Sequence, residues 1–62
     1  MMGWIVKDRD AHDIPAFHVE SFSLESAESA WEAFREENRE APVSKHECVR
    51  VRLEQVCDQI DF

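Results

Sequence analysis

The sequence predicts an α+β domain in which an antiparallel sheet of three or four strands packs one helix on a single face. Two observations support this prediction. Hydrophobic residues alternate with polar residues in segments on both sides of one helical stretch, as in strands that bury one face. Within that stretch, apolar residues recur at steps of three and four. The predicted order is ββαβ, and the 62 residues form a single domain, residues 1–62.

The first strand is predicted over residues 3–8, GWIVKD, because this segment is rich in aromatic and β-branched residues. The polar residues that follow end at Pro15 and predict a loop. In residues 16–22, Phe17 and Val19 alternate with polar residues, which predicts a second strand. The loop is short enough for the two strands to form an antiparallel hairpin.

The helix is predicted to begin after Ser23, whose hydroxyl can cap its first turn, and to run for roughly 17 residues. Pro42 follows the predicted end, as expected of a residue that cannot continue a helix. The stripe that faces the sheet is predicted to comprise Leu24, Ala27, Trp31, Phe34 and Ala41.

The third strand is predicted over residues 46–54, HECVRVRLE, where polar and apolar residues alternate strictly. Residues 56–62 fit either a fourth strand or a helical turn. Packing of the helix on the sheet and a right-handed crossover connection place the first strand between the other two, with the helix across one face of the sheet. The inward side chains that would meet the helix are Trp4, Val6, Phe17, Val19, Val49, Val51 and Leu53.

The outward positions of this predicted sheet carry most of its positive charge. They include Lys7, His18, Arg50 and Arg52. Such a basic sheet face could contact phosphates, as the sheets of RNA-binding modules do, although it lacks exposed aromatic residues for base stacking. Alternatively, its arginines pair with glutamates across the strands. In a third interpretation, a protein partner or a second copy of the chain packs on the open sheet.

The solvent side of the predicted helix carries a ladder of glutamates at four-residue steps: Glu28, Glu32, Glu36 and Glu40. Like charges at this spacing repel by a few tenths of a kcal/mol. The ladder is either a solvated face rich in good helix formers or a docking surface for a basic partner. Close mimicry of DNA is disfavoured, because one carboxylate per roughly 6 Å of helix is about half the charge density of a DNA strand.

Charge and length narrow the classes of function. The net charge is −7, and residues 20–41 contain seven glutamates against two arginines, so nucleic acid is repelled except at a local basic surface. A chain this short has little room for a catalytic cleft beside a core, and we expect no enzyme. The apolar run at the start is too short for a leader or membrane segment. We therefore expect a cytoplasmic protein with Cys48 and Cys57 reduced.

The sequence also contains histidines and cysteines that could bind a metal ion or act in nucleophilic catalysis. His46 and Cys48 share a face of the third strand, and Cys57, His12 or His18 could complete a zinc site. No C-x-x-C or H-x₃-H spacing supports one. Cys48 near a histidine could act as a nucleophile, but the pattern supplies no oxyanion donors. We expect no metal, no cofactor and no catalytic residue.

The segments GWIVKD, AFHVESFS, LESAESAWEAFREENRE and HECVRVRLE together resemble small phage or prophage accessory proteins, including anti-CRISPR proteins with a sheet and one helix. The resemblance covers most of the chain and lies in topology, size and charge. It implies a non-enzymatic inhibitor that binds a CRISPR effector over surfaces meant for nucleic acid.

The hairpin that leads into a Ser-capped helix rich in Glu and Ala also resembles the N-terminal part of HicB-type antitoxins. The glycines and the proline-rich strand link of that family are missing here. We expect a protein-binding inhibitor or adaptor that acts on a nucleic-acid-handling complex through a charged face. The alternatives are a small nucleic-acid-binding module and an antitoxin-like protein.

Overall fold

The computed structural model of the chain describes residues 1–11 and 17–54. Its elements are strand β1 (Met2–Asp8), strand β2 (Phe17–Ser23), helix α1 (Ala27–Glu37), a 3₁₀ turn (Val43–Lys45) and strand β3 (His46–Arg52). The α+β class and the ββαβ order are confirmed. The alternatives for residues 56–62 lie outside the described residues. In the part of the chain that is described, no helix has the length and apolar character needed to cross a membrane.

The three strands form one antiparallel sheet in the order β2-β1-β3, as predicted. Between β1 and β3 the register is regular, with Val6 opposite Cys48 and Asp8 opposite His46. Side chains that lie directly opposite each other in an antiparallel pair share a face of the sheet. This register therefore assigns the side chains of β3 to the two faces.

The pairing of β1 with β2 is irregular. Val6 lies opposite His18 and Trp4 opposite Ser23. These two positions are two residues apart on β1 but five residues apart on β2, so β2 contains extra residues between them. The extra residues interrupt the backbone ladder, and the hydroxyl of the fully buried Ser21 replaces the missing acceptor. Its Oγ accepts a hydrogen bond from the Val6 amide at 2.9 Å and donates one to the His18 carbonyl at 2.6 Å. The irregularity thus leaves these buried polar groups satisfied.

Helix α1 is shorter than predicted, and Ser23 is not its cap. Ser26 is the N-cap, and its Oγ accepts a hydrogen bond from the backbone amide of Ser29 at 3.1 Å. Ser23 remains in β2, and its Oγ accepts a hydrogen bond from the backbone amide of Glu25. Both serines can cap a helix, but the pairing of Ser23 with Trp4 keeps it extended. At the other end the helix stops at Asn38, whose amide donates to the Phe34 carbonyl at 2.8 Å.

The side of the sheet that α1 covers was predicted wrongly for two strands. Helix α1 packs Ala30 and Phe34 on Val6, with partly buried Trp4, Trp31, Ala41 and Cys48 around them. The predicted inward residues of β2 and β3 lie on the opposite face: Phe17, Val19, Val49 and Val51 pack with Ile5 and Phe22. Leu53 lies beyond the end of β3, and Leu24, predicted inward, is 48% exposed before α1. The alternation was right, but a one-residue difference in register exchanges the faces of a strand.

The apolar face approaches the backbone closely at Gly3. A Cβ atom at this position would lie 2.5 Å from the Phe22 ring and 2.8 Å from the carbonyl oxygen of Ser23. The absence of a side chain at Gly3 therefore lets the Phe22 ring lie against β1 and join the cluster of Ile5 and Val51.

Candidate functional site

The predicted basic sheet face is not formed. His18 contacts the ring of Phe34 at 4.9 Å between centroids and so lies on the face that α1 covers. Arg50 and Arg52 share that face, because they pair with Trp4 and Met2. Lys7 lies on the other face and forms an ion pair with Glu47 at 2.9 Å. Grouping these four residues on one open surface was therefore wrong, although their roles in partner binding stay predictions.

Arg50 has a neighbour that the sequence did not reveal. Its guanidinium carbon lies 5.2 Å from the centroid of the Trp4 ring, which is a cation–π distance. Pairing with a glutamate across the strands, the alternative given for this face, is not found for Arg50 among the described residues. The indole of Trp4 thus takes the place of an acidic partner.

The acidic side of α1 is exposed, as the helical spacing predicted. Glu28, Glu32 and Glu36 lie along the helix, whereas Glu40 lies beyond its end because α1 stops at Glu37. Among the described residues, no cationic group lies within 4.0 Å of these carboxylates, so Arg35 and Arg39, each three residues after a glutamate of the ladder, form no ion pair with it. An open depression begins where the ladder ends, lined by Glu36, Glu37, Asn38, Arg39, Glu40 and Ala41.

A second polar constellation lies where the three strands meet. Asp8 ends β1, His18 belongs to β2, and His46 begins β3. The Nε2 atom of His46 is 2.6 Å from Asp8 Oδ1 and 3.1 Å from His18 Nε2, and His18 Nε2 is 3.5 Å from Asp8 Oδ1. The His46 side chain is 7% exposed, that of His18 26% and that of Asp8 52%. The cluster therefore opens to solvent on the side of Asp8.

The outer nitrogens of both histidines also face oxygen atoms. His46 Nδ1 lies 2.8 Å from the Pro42 carbonyl, which can only accept, so Nδ1 carries the proton. His18 Nδ1 lies 3.6 Å from Glu20 Oε1. Glu20 in turn accepts a hydrogen bond from Asn38 Nδ2 at 2.8 Å, and this bond is the main cause that lowers the pKa of Glu20. The imidazoles are thus oriented from outside the cluster.

Phe34 supports both imidazoles from the core. Its ring centroid lies 4.9 Å from that of His18 and 4.7 Å from that of His46, and the phenyl ring is fully buried. Since Phe34 is anchored by α1, the helix holds the histidines even though it supplies none of the polar atoms.

The sequence did not bring these three residues together. The sequence offers His18 and His46 as zinc ligands together with the cysteines or His12, and not with Asp8. Cys57 and His12 lie outside the described residues, and Cys48 turns its sulfur towards the Ala27 carbonyl at 4.0 Å. Burial raises the pKa of the Cys48 thiol, which disfavours the thiolate that a nucleophile or ligand needs. The cross-strand pairing of Asp8 with His46 was the missing signal.

Comparisons with protein-family models, curated proteins and solved structures found no match for this chain.

Proposed function

We propose that the chain is a non-enzymatic binding protein that docks a Lys- and Arg-rich protein surface on the acidic side of α1. The observation that carries this proposal is the row of exposed carboxylates of Glu28, Glu32 and Glu36. In the described part of the chain, no cation within 4.0 Å neutralises them. Charges that lack an internal partner are available to an external one, and charge complementarity accelerates association and selects the partner.

The depression at the end of α1 supports the same surface. Glu36, Glu37 and Glu40 line it together with Asn38 and a single arginine, Arg39. A guanidinium group could enter it and meet carboxylates bidentately, the geometry that makes Arg a strong partner of acids. The proposed surface therefore runs from the first turn of α1 to the residues just beyond its end.

The partner proposed is a protein that handles nucleic acid, because surfaces that bind phosphates are rich in Lys and Arg. The resemblance to small phage-encoded inhibitors of the anti-CRISPR type makes a CRISPR effector the first such partner to test. Under this proposal the chain acts in the cytoplasm and competes with nucleic acid for the effector's basic groove.

A matched pair of double variants tests the surface. Glu32→Gln with Glu36→Gln removes two charges from the ladder, whereas Asp10→Asn with Glu54→Gln removes two charges elsewhere. Binding to purified CRISPR effectors and to an Arg-rich peptide is measured by calorimetry at low and moderate salt. We expect the ladder variant to lose affinity by roughly tenfold or more, given that close charge pairs across interfaces couple by about 1.5 kcal/mol or more, and the control to lose much less.

Equal losses in both variants would show that net charge, and not the helix face, attracts the peptide. Binding of the unmodified protein to RNA or single-stranded DNA, abolished by Arg50→Glu with Arg52→Glu, would instead favour the nucleic-acid-binding module. Either result would contradict the proposed docking surface.

A homodimer through the sheet face opposite α1 is a second proposal. What supports it is the character of that face, whose described side chains are mainly apolar. The half-buried side chains of Phe17, Val19, Phe22 and Val49 surround the buried Ile5 and Val51, and the Lys7–Glu47 ion pair lies at one end. Light scattering coupled to size-exclusion chromatography measures the mass in solution. A dimer that Val19→Lys converts to a folded monomer supports this proposal, and a monomeric parent protein overturns it.

A further inference from the structure

We propose that Asp8, His18 and His46 bind a single divalent transition-metal ion of the zinc type. The three ligand atoms, one carboxylate oxygen and two imidazole nitrogens, all lie within 4.8 Å of one another. This site is separate from the acidic side of α1, and it does not depend on the partner proposed for that surface.

The distances admit one ion bonded to all three atoms. Separations of 2.6, 3.1 and 3.5 Å define a circle through the atoms with a radius of about 1.8 Å, shorter than the roughly 2.0–2.1 Å of zinc–nitrogen and zinc–oxygen bonds. An ion slightly out of the plane of the three atoms therefore reaches each at bonding distance. Asp8 is the most exposed ligand, so its carboxylate can adjust to widen the shortest separation.

The contact between His46 and Asp8 also calls for a proton or a cation between the two atoms. Because His46 Nδ1 donates to the Pro42 carbonyl, a neutral His46 presents an unprotonated Nε2 to Asp8 Oδ1 at 2.6 Å. Two acceptors at that distance repel each other. A proton on His46 Nε2 removes this repulsion, but it forms a hydrogen bond chiefly to Asp8. A metal ion would bind Asp8, His18 and His46 at the same time.

The surroundings of the cluster match those of histidines that bind metals. Such histidines usually direct their second nitrogen to a backbone carbonyl or a carboxylate, which sets the tautomer. His46 faces the Pro42 carbonyl at 2.8 Å, and His18 faces Glu20, which is itself held by Asn38. The Pro42 carbonyl thus leaves Nε2 of His46 as the ligand atom, and the nearby Glu20 carboxylate favours the same tautomer of His18.

The donor set selects the class of ion. Two imidazoles and one carboxylate suit Zn²⁺ and neighbouring first-row ions, whereas Ca²⁺ and Mg²⁺ require oxygen ligands. The exposed side of Asp8 leaves room for water as a further ligand. Since each strand supplies one ligand, the ion ties β1, β2 and β3 together at one end of the sheet. Small domains commonly use a metal in this way to supplement a limited core.

The test uses the full chain, freed of metal with a chelator and titrated with Zn²⁺ by calorimetry and thermal unfolding. We expect one ion per chain and a melting temperature that rises with Zn²⁺ concentration, because a ligand that binds the native state stabilises it. Mg²⁺ at the same concentrations should produce no such rise. In NMR spectra of the ring nitrogens, Zn²⁺ should shift the Nε2 signals of His18 and His46.

Asp8→Asn removes a ligand with little change of shape, and Asp10→Asn is its matched control on a neighbouring exposed carboxylate. Glu20→Gln tests the contact between Glu20 and His18 Nδ1. It should weaken Zn²⁺ binding about 10- to 100-fold, as substitutions beside metal-bound histidines do. Asp8→Asn should weaken it more than that, and Asp10→Asn should leave it unchanged. Replacing both cysteines, Cys48→Ser with Cys57→Ser, should also preserve binding.

Three results would overturn the site. The first is loss of Zn²⁺ binding in the double cysteine variant, which would assign the ion to thiolates. The second is equal weakening by Asp8→Asn and Asp10→Asn. The third is the absence of a Zn²⁺-dependent shift of the His18 and His46 nitrogens. This result would mean that His46 and Asp8 form a protonated histidine–aspartate pair and bind no metal ion.

Discussion

On the face of the sheet covered by α1, Phe34 and Val6 pack beside two imidazoles, whereas on the opposite face the described side chains that pack around Ile5 are aliphatic and aromatic. Each face ends in an acid–base pair on β1 and β3, Asp8 with His46 on the covered face and Lys7 with Glu47 on the other. The pairs differ in the chemistry of the groups around them. His46 is 7% exposed and meets a carboxylate, a second imidazole and the Pro42 carbonyl. Lys7 is 14% exposed and binds the Glu47 carboxylate and two backbone carbonyls.

This difference shows where the domain accommodates polar groups. Apolar packing is non-directional and tolerates many arrangements, whereas each buried polar atom needs a partner at a set distance. Among the described residues, no buried side-chain nitrogen or oxygen lacks one. The face covered by α1 therefore restricts its side chains more, because its buried imidazoles need partners at set distances. The proposed metal site of Asp8, His18 and His46 lies on this face.

The largest effect is expected from Phe34→Ala, which removes the support of both imidazoles together with the centre of the α1 interface. Replacing a buried phenylalanine by alanine costs about 3–5 kcal/mol, comparable with the whole stability of a small domain. We expect a largely unfolded protein at 25 °C by circular dichroism.

Phe34→Leu keeps more of the apolar volume and should leave a folded but less stable protein, measurable by urea denaturation. If Phe34→Ala unfolds at the same urea concentration as the parent protein, the covered face is not the one that organises the domain.

An intermediate effect is expected from Ser21→Ala. This change removes the acceptor of the buried Val6 amide, and an unsatisfied buried group costs about 1–3 kcal/mol. The free energy of unfolding measured in urea checks this value. The matched control is Ser23→Ala, whose hydroxyl accepts an exposed amide that water can serve instead. Similar losses in the two variants would show that the irregular pairing of β1 and β2 does not depend on Ser21.

The smallest effect concerns the ion pair on the apolar face. The hydrogen bond from Lys7, followed by the charges of Lys7 and Arg9, lowers the pKa of Glu47. A lowered pKa in the folded state means that the carboxylate stabilises the protein above the ordinary glutamate pKa. This contribution is lost as the pH falls through the lowered value.

The stability difference between the parent protein and Glu47→Gln should therefore shrink as the pH falls through that window, and it should shrink further in high salt. Urea denaturation across acidic pH values measures it. A difference that stays constant with pH would contradict the assigned pair.

Local pattern was sufficient for much of the fold. Alternation located β2 and β3, and the aromatic pair Trp31 and Phe34 located α1, because each pattern follows from the geometry of a single element. A short connection predicted the antiparallel hairpin, and packing of the helix on the sheet with a right-handed crossover predicted the strand order. Helix bounds were less accurate, since Ser23 and Ser26 are both suitable caps and the choice depends on pairing with Trp4.

The candidate sites divide in the same way. The exposure of Glu28, Glu32 and Glu36 follows from helical spacing alone, so the sequence predicted that surface, except at Glu40. The cluster of Asp8, His18 and His46 depends on contacts between residues up to 38 positions apart, as Asp8 is from His46. No spacing within one element encodes such a contact.

By itself, then, the sequence determined which segments become strands and helix, their order, and the acidic side of α1. Only the tertiary structure decided which face of each strand meets the helix. A strand repeats every two residues, so each strand has two faces that alternation distinguishes but does not orient. Register made that choice, placing Val6 opposite His18 and Cys48 and thereby bringing the histidines over Phe34.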